Sequence, residues 1–90
     1  MNIEEEVKKL IGDNERGKAI QVLEAYPEIQ NSEMLLLQLG ELLFAESKMT
    51  EALNKFNAVI RINPENRKAI NYVTMIRGIM DYYNKDLLNP

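Results

Sequence analysis

The chain has no cysteine, no histidine and no tryptophan among its 90 residues. Those absences remove disulfides, thiolate nucleophiles, imidazole acid–base chemistry and the usual zinc ligands, leaving only carboxylates for a metal. A domain near the lower size limit for unaided folding must then hold by apolar packing alone. Glycine and proline are sparse, four and three, and never cluster, so no low-complexity linker divides residues 1–90 into two domains. Long apolar runs are missing as well: stretches such as Met34 to Leu37 are far too short to span a bilayer. Glu4, Glu5 and Glu6 stand where a secretory leader carries basic residues, so a cytoplasmic protein without membrane insertion is expected. The net charge is −3, and no basic cluster is longer than the pairs Lys8-Lys9 and Arg67-Lys68. Nucleic acid is therefore not an expected partner, because its recognition draws on concentrated positive charge.

What the chain does have is helical periodicity. Ile3, Val7, Leu10 and Ile11 form an i, i+4, i+7, i+8 stripe behind an acidic first turn, predicting a helix over 2–11. Gly12-Asp13-Asn14 breaks it, and Asp13 or Asn14 is the expected cap of a second helix. That helix carries Ala19, Ile20, Val22, Leu23 and Tyr26 and stops before Pro27, with Gly17 as a weak point worth about 1 kcal/mol against alanine. A third helix, capped by Asn31 or Ser32, runs to about Glu46 with Leu35, Leu36, Leu39, Leu42 and Leu43 on one broad face. After a turn at Ser47-Lys48-Met49-Thr50, a fourth carries Ala52, Leu53, Phe56, Val59 and Ile60 to about Ile62. Asn63 as cap with Pro64 at the first helical position then predicts a fifth helix over roughly 65–84, followed by a loosely held tail.

Leu36-x-x-Leu39-Gly40-x-x-Leu43, Ala52-x-x-x-Phe56 and Pro64 carry the spacings of a tetratricopeptide repeat, and residues 33–66 resemble one full repeat of that family. Residues 2–30 resemble an earlier, degraded repeat, with Ala19 and Leu23 in the places of Ala52 and Phe56. The fifth helix resembles a C-terminal capping element, Ile70, Val73 and Thr74 taking the places of Leu36, Leu39 and Gly40, with Thr74 and Arg77 polar where a further helix would pack. The resemblance implies an all-α fold of about five helices, antiparallel hairpins stacked as a right-handed array. It also implies a non-catalytic binding module without cofactors, whose first helices line a concave groove for a peptide or helix of a partner protein. By position the groove residues are Met34, Leu37, Gln38 and Glu41 from the third helix and Lys68, Asn71, Tyr72 and Met75 from the fifth. Six of these, Leu37, Gln38, Glu41, Asn71, Tyr72 and Met75, are the expected partner-binding set. The subclass that grips chaperone carboxylate termini is not matched: Tyr72 replaces its arginine and Gln38 its middle asparagine, although Lys68 fits.

The fifth helix also carries a second apolar stripe, Tyr72, Met75, Ile79 and Tyr82, beside the core-facing Ile70, Val73, Ile76 and Met80. A helix apolar on most sides is covered on most sides. Either Leu87 and Leu88 fold back over it, or it meets a partner or a second copy of the chain in a symmetric dimer. Catalytic readings fail on residue type. Ser32, Ser47, Thr50 and Thr74 have no histidine to activate them, and Glu4 to Glu6 point in different directions on a helix and form no metal site. Gly12-x-x-x-x-Gly17-Lys18 mimics a phosphate-binding loop, but Ala19 replaces the required hydroxyl residue and no strand precedes it.

Overall fold

Asn2 opens the first helix by accepting a 2.8 Å hydrogen bond from the Glu5 amide at its side-chain oxygen, ahead of three glutamates in the first turn. In the computed structural model, which describes the backbone of residues 2–88 and the side chains of 2–83, five α-helices follow one another: α1 (Ile3–Gly12), α2 (Arg16–Ala25), α3 (Glu33–Ala45), α4 (Met49–Ile62) and α5 (Arg67–Leu88). Each packs on the next, the closest pair being α3 with α4, and no strand occurs among the described residues. None of these helices is long and apolar enough to cross a membrane.

The turns within the two hairpins share one geometry. Asn14 and Ser47 both adopt left-handed backbone, with φ of 62° and 63°. Around Asn14 the amides of Asp13, Asn14 and Glu15 donate to the carbonyls of Lys9, Ile11 and Leu10, and around Ser47 those of Glu46, Ser47 and Lys48 donate to Leu42, Phe44 and Leu43. Each motif closes the preceding helix by satisfying its orphan carbonyls. The cap expected at Asp13 or Asn14 is therefore spent on ending α1. Glu15 precedes α2 and makes no side-chain cap bond. Gly17 sits in the first turn of α2, so the penalty of a helix-interior glycine does not apply to it. A 3₁₀ turn over Ile29–Asn31, absent from the periodicity, drops Ile29 into the core after Pro27.

The core runs through all five helices. Val7, Ala19, Leu23, Leu36, Leu43, Ala52, Phe56, Val59, Ala69 and Ile76 are completely buried. Gly40 of α3 faces Phe56 of α4 so closely that a Cβ there would lie 2.7 Å from Phe56 Cε1. Such contact across a three-residue turn requires two opposed, close-packed helices. On α5, Ala69 and Ile76 are buried, Ile70, Val73 and Met80 are half-buried, and Thr74 and Arg77 are exposed on the outer side. Thr74 turns its hydroxyl back to the Ile70 carbonyl at 3.0 Å.

The start and end of α5 differ from expectation. Asn63 ends α4 in extended geometry, as a residue before proline does, and Pro64 and Glu65 make a turn closed by the Asn66 amide on the Asn63 carbonyl. Asn66, one turn later, is the cap: its Oδ1 accepts from the Ala69 amide at 3.0 Å. At the other end the helix continues past Asn84 to Leu88 in place of a loose tail. The fold-back of Leu87 and Leu88 is a matter of side chains that lie outside the described residues.

Glu33, at the start of α3, ties this turn down. Its Oε2 accepts from Asn66 Nδ2 at 2.7 Å and from Asn63 Nδ2 at 2.8 Å. The bonds from Asn66 and then Asn63 favour the carboxylate and lower its pKa below the ordinary 4.5, against a smaller opposing desolvation. A depressed folded-state pKa adds stability above the unfolded value, and that stability is lost as pH falls through the folded one. The melting temperature of Glu33→Gln should thus lie below wild type at about pH 6, with the gap closing below about pH 4. A gap independent of pH excludes an ionic latch.

Candidate functional site

Two adjoining depressions on one face of the stack contain the six sequence-chosen residues, three in each. The first is walled by Glu4 and Lys8 of α1, Met34, Leu37, Gln38 and Glu41 of α3, and Lys68 of α5. The second is walled by Phe44 of α3 and by Lys68, Asn71, Tyr72 and Met75 of α5. Alternate helices α1, α3 and α5 thus supply every side chain of the face. Lys68 belongs to both depressions.

The ridge between them is a small polar relay. Glu41 Oε2 accepts from the Tyr72 hydroxyl at 3.2 Å and lies 3.7 Å from Lys68 Nζ. With the Lys68 side chain 69% exposed, that ion pair contributes below about 1 kcal/mol, so it orients the two groups more than it stabilises the fold. The tyrosine is held far more firmly. Its ring stacks on Phe56 at 4.4 Å with a 5° interplanar angle and meets the edge of Phe44 at 5.2 Å. Burial first, then the Glu41 charge and hydrogen bond, push the Tyr72 hydroxyl above its usual 10, so it keeps its proton and donates a hydrogen bond to Glu41.

Tyr72 therefore serves the fold with its ring while its hydroxyl joins the ridge between the two depressions. Met75 and Met34, 45% and 54% exposed, are the prominent apolar groups there, and Leu37 and Gln38 are half-buried beside them. Of the second stripe, Met75, Ile79 and Tyr82 gather with Met49 and Tyr83 in a third depression further along α5, which Tyr72 does not reach.

Glu4, Lys8 and Phe44 were missed in the sequence as members of the face, although a signal for the first two exists. Aligning the left-handed residues Asn14 and Ser47 puts Glu4 and Lys8 in register with Leu37 and Glu41. Aligning the caps Ser32 and Asn66 puts Asn71 and Met75 at the same two places. The three odd-numbered helices thus offer Glu4, Leu37 and Asn71 in one row and Lys8, Glu41 and Met75 in the next. Among the described residues no three carboxylates converge as a metal site would require. The chemistry on offer is a mixture of apolar contact, amide hydrogen bonding and balanced charge.

Compared with models of protein families, with curated proteins and with solved structures, the chain matches none.

Proposed function

We propose that the chain is a non-catalytic protein-binding module of the tetratricopeptide-repeat type: a right-handed stack of antiparallel hairpins, working in the cytoplasm, whose first helices hold a peptide or helical segment of a partner protein. The observation that carries this reading is the register across α1, α3 and α5, which brings equivalent positions of three helices to one face, divided by the Glu41–Tyr72–Lys68 ridge into two adjoining depressions. The recurring left-handed turn in both hairpins supports the repeat character, because the two turns close with the same backbone hydrogen-bond pattern. Polar and apolar groups alternate over the face, which suits a segment bound by side-chain pockets and amide contacts together.

Met75, Leu37 and Met34 are the side chains to change, since Tyr72→Ala would also unroof Phe56. A peptide selected from a displayed library on the wild-type protein should bind Leu37→Glu about tenfold more weakly or worse, which corresponds to about 1.4 kcal/mol or more. A Gln21→Glu change on α2, away from the face, should leave binding as it was. If selected peptides bind Leu37→Glu and Met75→Ala as well as wild type, the partner site lies elsewhere.

A further inference from the structure

A peroxide meeting this chain finds no thiol to attack, so the thioether of methionine is its softest target. Four of the five methionines lie among the residues whose side chains are described, and they divide into two pairs. Met49 and Met80 are half-buried and pack against the core. Met34 and Met75 are 54% and 45% exposed, and each stands in one of the two depressions of the face built by α1, α3 and α5. Their surroundings match. Met34 shares its depression with the Gln38 amide and the Lys68 ammonium, and Met75 shares its own with the Asn71 amide and the same ammonium.

We propose that Met34 and Met75 form a reversible oxidation site, where a peroxide turns the face from apolar to polar without unfolding the chain and so releases a bound segment. The release rests on the protein-binding reading of this face. Each thioether sulfur gives an electron pair to one oxygen of hydrogen peroxide, and the S–O bond forms as the O–O bond breaks. Sulfur is oxidised by two electrons, and the second oxygen departs as water after taking the proton of the first. The product, a sulfoxide, is a polar side chain where an apolar one stood.

Position decides what that change does. A sulfoxide oxygen is an acceptor, and at Met34 and Met75 the neighbouring amides and the Lys68 ammonium are donors in the same depression. The oxidised form is therefore tolerated by the fold, while the apolar contact and the donors that a segment would use are withdrawn together. At Met49 and Met80 the same oxygen would be pressed against apolar neighbours, a costly burial, but their partial cover slows the reaction there. The exposed pair lies where oxidation alters binding, and the covered pair where it would damage packing.

Timed exposure of the full chain to hydrogen peroxide, followed by peptide mass spectrometry, should show Met34 and Met75 gaining oxygen several-fold faster than Met49 and Met80. Protein oxidised at both sites should keep its helical content and melt within about 4 °C of the untreated protein. A peptide selected on the untreated protein should bind it about tenfold more weakly or worse, and methionine sulfoxide reductases should restore the affinity. The double variant Met34→Leu with Met75→Leu, close in volume, should bind that peptide before and after peroxide alike. Met49 or Met80 reacting as fast as the exposed pair overturns the proposal, as does unfolding on oxidation at Met34 and Met75, or peptide affinity that peroxide leaves unchanged. A library that yields no binder to the untreated protein counts against the binding reading alone, because the order of oxidation and the melt are read without a ligand.

Discussion

Phe56→Ala is expected to lower the unfolding free energy by about 3–5 kcal/mol, the range for removing a fully buried aromatic side chain. Phe56 is 0% exposed and stands where three helices meet: it lies against Gly40 of α3, belongs to α4 and carries the ring of Tyr72 of α5 on its face. Its loss leaves a cavity that cannot close from one side alone, because each wall belongs to a different helix. It also releases Tyr72 from its stack, and with it the hydroxyl that bridges to Glu41. A domain of this size has a total stability of about 5–13 kcal/mol, so the variant should melt far below wild type or be partly unfolded at room temperature. Urea denaturation followed by far-ultraviolet circular dichroism measures the difference. A loss below about 1 kcal/mol would mean that the core is centred elsewhere.

Why Phe56 was legible in the sequence, and other residues were not, comes down to which contacts are periodic. The buried leucines of α3 and the Ala52, Phe56, Val59 row of α4 recur at helical spacing, and burial followed that spacing directly. Pro27 and the end of α2 were equally readable, since a residue before proline is turned out of helical geometry whatever surrounds it. The cap of α5 falls at Asn66 and not at the expected Asn63, although both are competent caps. The choice fell to Asn66 through a contact distant in sequence, the Glu33 carboxylate holding both amides at once. Left-handed backbone at Asn14 and Ser47 was equally hidden, as neither is a glycine.

The face itself divides in the same manner. Leu37, Gln38, Glu41, Asn71 and Met75, the positions that the family resemblance implies on α3 and α5, lie on one side. Tyr72 is implied with them, but its ring is captured by Phe56 and Phe44, a tertiary outcome that spacing along one helix does not encode. Glu4 and Lys8 escaped because α1 looks like an ordinary amphipathic helix with an acidic first turn. Only the matched turns at Asn14 and Ser47 reveal which of its polar residues stand beside Leu37 and Glu41.

Gly40→Leu should cost about 3 kcal/mol, and the sign is informative because helix propensity argues the other way. Glycine within a helix is worth about 1 kcal/mol less than alanine or leucine, so on an open helix face the change would stabilise. Here even the first added carbon would sit 2.7, 2.9 and 3.0 Å from Cε1, Cζ and Cδ1 of Phe56. The obstacle is a rigid ring already stacked against Tyr72, not the mobile end of a long side chain, so relief requires α3 and α4 to separate. Gly40→Ala should destabilise in the same direction by less. In the double variant with Phe56→Ala, the leucine at position 40 extends into the vacated space, and the combined loss should fall short of the sum of the single losses by about 1–3 kcal/mol. Strict additivity in urea melts of the four proteins would show that Gly40 and Phe56 do not share one packing site, and the close approach of α3 and α4 would then need another cause.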